Sequence, residues 1–376
     1  MGHLTQIARR STATLAALLL SLAAQGSEES VGAHRRADIR EAQAALAREA
    51  ETHGGWQGWH AALKPWRARW AERLETAPDA GKGVIAGSDG FFFLRTWESY
   101  VLEPDYIHAP ESTQQSAALR TLINLNTQLL ARGIHFIVVP VPSRSEIYPE
   151  QFLPPPVPPV PMAPQRKQFI HALLENNVES IDLLPALIAA KSEATMSLKN
   201  DTHWTSQGAA VAARVISARL SRYDWEHIYG RPPSSMRTNN VGYSRSWSIY
   251  ERLSPENQAR HPSGPVVVSQ VRLPDGTPYA PDPTVPLLVT GDSFLFFYAP
   301  VQADVSAHIG ANLGYPVATK PMGGGQAARV ARGFARMSAE KIAQYRVVVF
   351  IFVAPYLRYD NWKPAPLPRI GKELGN

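Results

Sequence analysis

Three short apolar runs constrain this chain more than anything else in it: Ile134–Val141 (IHFIVVPV), Val285–Thr290 and Arg346–Val353 (RVVVFIFV). Each reads as a buried strand, because a strand covered on both sides shows a continuous apolar run rather than alternation. Helical patterns separate them. Glu111–Arg132 carries Leu119, Leu122, Ile123, Leu129 and Leu130 on one face, with Gly133 as its stop. Further helices are predicted at Gln165–Asn176, Leu184–Ala190, Ser206–Arg222, Phe294–Gly310 and Gln326–Tyr345, and a short strand at Val178–Ile181. Strands alternating with helices predict an α/β fold, a mainly parallel sheet with helices on both faces.

The flanking segments read differently. GVIAGSDGFFFL is predicted to form a hairpin turning at Ser88-Asp89-Gly90. Leu153–Pro164 (LPPPVPPVPMAP) fits neither a helix nor a central strand and is expected as a stiff surface loop. Residues 224–284 are expected as an irregular, turn-rich insertion with one strand, Val266–Leu273. Residues 27–82 form a helical arm holding Trp56, Trp59, Trp66 and Trp70, broken at Gly54-Gly55 and at Pro65. This arm is expected to pack on the main domain, residues 83–376. Ahead of it, Arg9-Arg10, the apolar run after Ser11 and small residues at 24–26 have the makeup of a secretory signal over residues 1–26, cleaved or kept as an anchor. A periplasmic location is expected, with the uncleaved signal as the link to the inner membrane.

Composition excludes several classes of function. Cysteine is absent, which removes disulfide frameworks, thiolate metal sites and cysteine nucleophiles. The 11 histidines have no metal-ligand spacing, so neither a metal nor another cofactor is expected. The net charge of +6 is spread along the chain without a block of like charges, which argues against a nucleic-acid partner.

Two motifs carry chemistry. Gly291-Asp292-Ser293-Phe294 follows an apolar strand and opens a helical segment, and ligands in open α/β sheets lie beyond the carboxyl ends of the strands. There the Ser293 side chain meets the positive end of a helix, where an oxyanion is favoured. Asn200-Asp201-Thr202-His203-Trp204-Thr205 precedes the helix at Ser206. A serine hydroxyl needs a base, and the imidazole needs a carboxylate to fix its tautomer. Asp201 and His203, two apart on irregular backbone, can supply both. A Ser293-His203-Asp201 site is therefore expected. Arg144 and Tyr148 follow the strand at 134–141 and are expected as site walls, with Arg144 holding an acidic sugar's carboxylate. Gly324 and Gly325, in Gly323-Gly324-Gly325, are expected to bring a main-chain donor to the oxyanion.

GSDGFFFL, VVPVPSRSEIYPEQF, NDTHWTSQGA and LLVTGDSF together resemble the AlgJ/AlgX-type alginate O-acetyltransferase family over about residues 83–357. The resemblance implies an SGNH-hydrolase-like domain with permuted motif order, with Ser293 as nucleophile, His203 as base and Asp201 as orienter. Within the Asp-x-His-Trp-Thr motif, Trp204 is expected among the substrate-binding groups. The implied reaction moves an acetyl group to hydroxyls of an exported, alginate-like exopolysaccharide. The implied partners are the polysaccharide acceptor, a membrane-bound O-acyltransferase that relays the acetyl donor, and an exopolysaccharide biosynthesis complex. Phe350-Ile351-Phe352 departs from the Trp-Glu-Tyr often found there, so a supporting tyrosine hydroxyl is missing. The same site in an SGNH-type carbohydrate esterase would hand the acyl group to water, and a third reading is a non-catalytic component of an export complex.

Overall fold

A computed structural model describes residues 30–103, 116–158, 160–323, 326–359 and 361–369. The expected signal at 1–26 lies outside these residues, as do Gly324, Gly325 and the first residues of the helix expected from Glu111. Among the described residues, no helix is long and apolar enough to cross a membrane.

The arm forms helix 30–51, then Gly55–Ala62 and Lys64–Thr76. Gly54 and Gly55 have φ of 77° and 74°, a backbone region that costs glycine little, and they break the first helix from the second. Pro65 sits in the first turn of the third helix, where its missing N–H costs nothing. The arm packs on the domain: Trp59 and Trp70 are fully buried, and their indole N–H groups donate to the carbonyls of Pro161 (3.1 Å) and Glu98 (3.0 Å). Arg69 donates to the carbonyls of Pro154 and Pro156, both at 2.7 Å. The proline-rich loop is therefore partly covered by the arm rather than a free surface loop, with Leu153 and Met162 buried.

A small antiparallel sheet follows, β1 (Asp79–Gly81), β2 (Val84–Ala86) and β3 (Phe92–Leu94), turning through Asp89 and Gly90, both with positive φ. The main sheet holds β4 (His135–Val141) and β5 (Glu179–Ser180). The insertion contributes β6 (Arg237–Tyr243) and β7 (Val266–Arg272), and the main sheet is completed by β8 (Leu287–Gly291), β9 (Ala318–Pro321) and β10 (Val347–Val353). Its order is β5-β4-β10-β8-β9, and every pairing is parallel. β10 lies at the centre with all seven residues buried, as its continuous apolar sequence demands. Because the strands are parallel, the loops after β4, β8 and β10 meet at one edge of the sheet.

Three expectations about elements need correction. The insertion is less irregular than its sequence suggests, because β6 and β7 pair as an antiparallel ribbon. β6 (RTNNVGY) is mostly exposed and so lacks an apolar signature. The helix expected at Phe294–Gly310 is broken into Ser293–Phe296 and Val305–Leu313 by Pro300 and by Asp304, which caps the second piece through Ser306 N at 2.9 Å. The helix expected at Gln326–Tyr345 is likewise broken, with Ser338 capping a new start at Ala339–Ala343.

Candidate active site

β8 ends at Gly291, which approaches the neighbouring strand so closely that any Cβ there would overlap the carbonyl oxygen of Ile351. Asp292 then leaves the sheet with its amide on Ile351 O (3.2 Å), and its carboxylate accepts Phe294 N (2.9 Å) and Val353 N (2.8 Å). These bonds fix the turn that presents Ser293, half-buried, at the head of the short helix Ser293–Phe296.

The second motif lies on a loop held from several sides. Leu198 N donates to His203 O (3.0 Å) and Thr205 N to Met196 O (3.0 Å), which folds the loop back on itself. Thr205 caps the helix Ser206–Leu220 by accepting Gly208 N at 3.0 Å. Within this loop His203 Nδ1–H donates to Asp201 Oδ1 at 2.5 Å, so Nε2 is the acceptor side of the ring. Nε2 lies 2.7 Å from Ser293 Oγ. Asp201 also accepts His203 N (3.1 Å) and, on Oδ2, Ser248 N (2.6 Å). The structure therefore brings the three expected triad residues into one hydrogen-bonded chain across 90 residues of sequence.

Electrostatics suit that chain to base chemistry. Burial lowers the pKa of His203 and outweighs the opposing Asp201 carboxylate, while Arg245 and Arg144 lower it further. The imidazole is thus neutral at pH 7 and free to take a proton. Burial would raise the pKa of Asp201, but hydrogen bonds from His203 and the Ser248 amide outweigh it and hold the carboxylate ionised. Aromatic rings dry the site: Phe297 stacks on the imidazole at 4.0 Å between centroids, and Phe294 leans against it at 4.8 Å.

The expected wall residues are all buried. Arg144 is buried rather than at a mouth, and its Nη1 donates to the carbonyls of Phe92 and Lys199. The turn carrying it is a capping box, Ser143 with Glu146, and Arg166 anchors that turn through Glu146 Oε1 at 2.6 Å. Tyr148 is buried too, and its hydroxyl accepts Met196 N at 2.7 Å. Trp204 is buried edge-on to Phe294, with its carbonyl accepting Tyr298 Oη–H at 3.0 Å. All three brace the loop carrying Asp201 and His203 from behind. Each is buried, and the polar contacts of each are made with neighbouring main chain or a tyrosine hydroxyl. Phe350 and Phe352 stack on each other at 4.9 Å in the core, so the position of the missing tyrosine is apolar and buried. The glycine donors Gly324 and Gly325 lie outside the described residues. Among the described residues, no group of three or more histidine or carboxylate side chains could hold a metal ion.

Sequence reasoning missed Asp292 as a brace, Ser248, Phe297 and the buried Glu98, whose carboxyl is pushed up to about 7 by burial. Asp292 was visible as a helix cap in the Gly-Asp-Ser motif, whereas Ser248 acts through its main chain, which leaves no sequence signal.

A parallel sheet with Ser293 after one strand, backed by a His-Asp loop at the same edge, defines an SGNH-hydrolase-like α/β domain. The comparisons agree with that class. The family described as "SGNH hydrolase-like domain, acetyltransferase AlgX" matches residues 84–351, and the chain belongs to it. The solved O-acetyltransferase domain of Pseudomonas putida AlgJ superimposes with a TM-score of 0.56 at 20% identity, covering 76% of this chain and 94% of that one. Pseudomonas aeruginosa AlgX gives 0.53 at 18% identity, covering 79% and 67%. These likenesses establish the fold. The probable alginate O-acetylase AlgJ of Pseudomonas aeruginosa is 24% identical over 173 residues, 44% of this chain and 39% of that protein. Its counterpart in Azotobacter vinelandii is 23% identical over 234 residues, 53% of this chain and 55% of that protein. The chain thus spans well under two thirds of the length of these curated relatives.

Proposed function

We propose that the protein is a periplasmic O-acetyltransferase that moves an acetyl group to hydroxyls of an exported exopolysaccharide. The observation that carries this reading is the unbroken chain Asp201 Oδ1, His203 Nδ1, His203 Nε2, Ser293 Oγ, with links of 2.5 and 2.7 Å. Membership of the acetyltransferase family supports the choice of acyl group, and the names of the probable alginate O-acetylases support an exopolysaccharide acceptor.

In the first half-reaction Ser293 Oγ attacks the acetyl carbonyl of a donor while His203 Nε2 takes the hydroxyl proton. The oxyanion forms beside the amino end of the helix Ser293–Phe296 and collapses, expelling the donor's leaving group, which receives the proton from His203. In the second half-reaction a sugar hydroxyl gives its proton to His203 and attacks the acetyl-serine, and the proton then returns to Ser293. Asp201 stays ionised and holds the ring throughout. Residues 1–26 act as export signal, residues 27–82 as a packing arm and residues 83–376 as the acyltransferase domain. A membrane-bound O-acyltransferase within the biosynthesis complex delivers the acetyl groups.

The test is an activated acetyl ester offered with and without oligosaccharide, followed by mass spectrometry of protein and sugar. Ser293→Ala and His203→Ala should each lower turnover by roughly 10³-fold or more, with the double variant hardly worse. Acetylated sugar supports the transferase. Acetate alone with every acceptor offered would make the protein an esterase, and full turnover in Ser293→Ala would remove both readings.

A further inference from the structure

We propose that Arg245 and Phe297 form a positioning stack for His203: one aromatic ring, gripped by a guanidinium from the insertion, sets the plane and the charge environment of the imidazole. The inference rests on the proposed role of His203 as base.

The geometry is specific. The imidazole of His203 lies nearly parallel to the Phe297 ring, at 4.0 Å between centroids and 21° between planes. The guanidinium carbon of Arg245 lies 4.4 Å from the centroid of the same ring, and Arg245 Nη1 donates to Phe297 O at 3.2 Å. Phe297 is thus held by ring and main chain together, through an arginine whose Nε is itself fixed on Ser246 O at 3.2 Å. Trp247, fully buried, packs against Phe297 at 6.1 Å, and Ser248 N closes on Asp201 Oδ2 at 2.6 Å. Within four consecutive residues, Arg245 and Trp247 therefore touch the ring stacked on the imidazole and Ser248 touches its carboxylate. A ring stacked on one face restricts rotation about the axis that keeps Nε2 on Ser293. A cation at the ring face is held there by the quadrupole, and its charge opposes a second positive charge on the imidazole.

Among the described residues, three charged groups act on His203. Asp201, on its own loop, favours the protonated ring. Arg144, from the turn after β4, and Arg245, from the insertion, both disfavour it. Arg144 is buried and committed to two carbonyls, whereas Arg245 is exposed and can be replaced without opening the core.

Two measurements test the proposal. In Ser293→Ala protein, His203 is titrated by NMR with Arg245 present or replaced by Met, which keeps a long side chain without charge. The imidazole pKa should rise by about half a unit in the Arg245→Met protein, as expected for a unit charge some ring-widths away near the surface. Arg245→Lys should return it towards the parent value. In the otherwise wild-type enzyme, the acid limb of kcat/KM for an acetyl ester should move up by the same amount. Phe297→Leu should lower kcat several-fold while leaving KM for the ester nearly unchanged. An imidazole pKa and acid limb that ignore Arg245→Met would overturn the proposal. So would a Lys variant that behaves like Met. The NMR arm needs no turnover, so failure here is separate from failure of the acetyltransferase reading, which the acceptor assay and Ser293→Ala kinetics decide.

Discussion

Asp292 Oδ2 accepts the amide of Val353 at 2.8 Å, which ties the residue before Ser293 to the end of the central strand. Its other oxygen accepts Phe294 N at 2.9 Å, so a single buried carboxylate fixes the turn on both sides. Asp292→Asn keeps one acceptor but points an N–H at an N–H on the other side. It should cost about 1–3 kcal/mol, the penalty of an unsatisfied buried donor, and lower ester turnover as Ser293 shifts. Denaturant unfolding reads the first effect, and an unchanged midpoint would show the carboxylate to be dispensable.

Gly291→Ala tests the same turn from the strand side. The added methyl would overlap the Ile351 carbonyl, and that strand cannot retreat because β4 pairs with it along its other edge. An overpacking loss of about 1–3 kcal/mol is expected, together with weaker activity. A variant with the wild-type melting temperature would mean that β8 and β10 separate more easily than their pairing implies.

Glu98 supplies a pH signature. Burial pushes its carboxyl up to about 7, against the hydrogen bond from Ser145 and the charge of Arg144. A carboxyl whose folded pKa exceeds its unfolded value of 4.5 is most favourable to the fold when protonated. Wild-type stability from this group is therefore complete below pH 4.5 and declines as pH climbs to about 7. Glu98→Gln stays neutral, so it should gain on wild type across that window, by on the order of 3 kcal/mol at its top. Paired unfolding curves at several pH values measure the gap, and a gap independent of pH would show that Glu98 titrates alike in the folded and unfolded chain.

Legibility in the sequence followed physical signal. β4, β8 and β10 announced themselves because strands buried on both faces must be apolar throughout. β9 (ATKP) sits at the sheet edge and mixes polar with apolar residues, and β6 is mostly wet, so neither carried a pattern. Asp201, His203 and Ser293 were legible because each lies in a compact motif at a loop or helix start. Arg144, Tyr148 and Trp204 stand out in the sequence as site candidates, yet sequence position says which end of a strand a residue occupies and nothing about which way its side chain turns. Ser248 and Arg245 were beyond reach, since their contacts with the triad are made through a main-chain amide and through a ring more than 40 residues from the His-Asp motif.

Arg144 separates the two meanings of a conspicuous arginine. As an acceptor-binding group it would, when lost, raise KM for anionic oligosaccharides and leave the fold alone. As a buried brace it holds the carbonyls of Phe92 and Lys199, two residues ahead of Asp201, with Glu98 and Asp201 as its nearby carboxylates. Removing it leaves those carboxylates without their cation and the loop without its clamp. Arg144→Met should therefore destabilise the protein by roughly 3–5 kcal/mol, the cost of breaking a buried charge arrangement. It should also lower kcat with little change in KM for the acceptor. Arg144→Lys restores the charge but lacks the planar fork, so it should recover part of the stability and less of the activity. Unfolding curves and steady-state kinetics with neutral and anionic acceptors measure both effects. A stable Met variant with a raised KM for anionic acceptors alone would return Arg144 to the substrate.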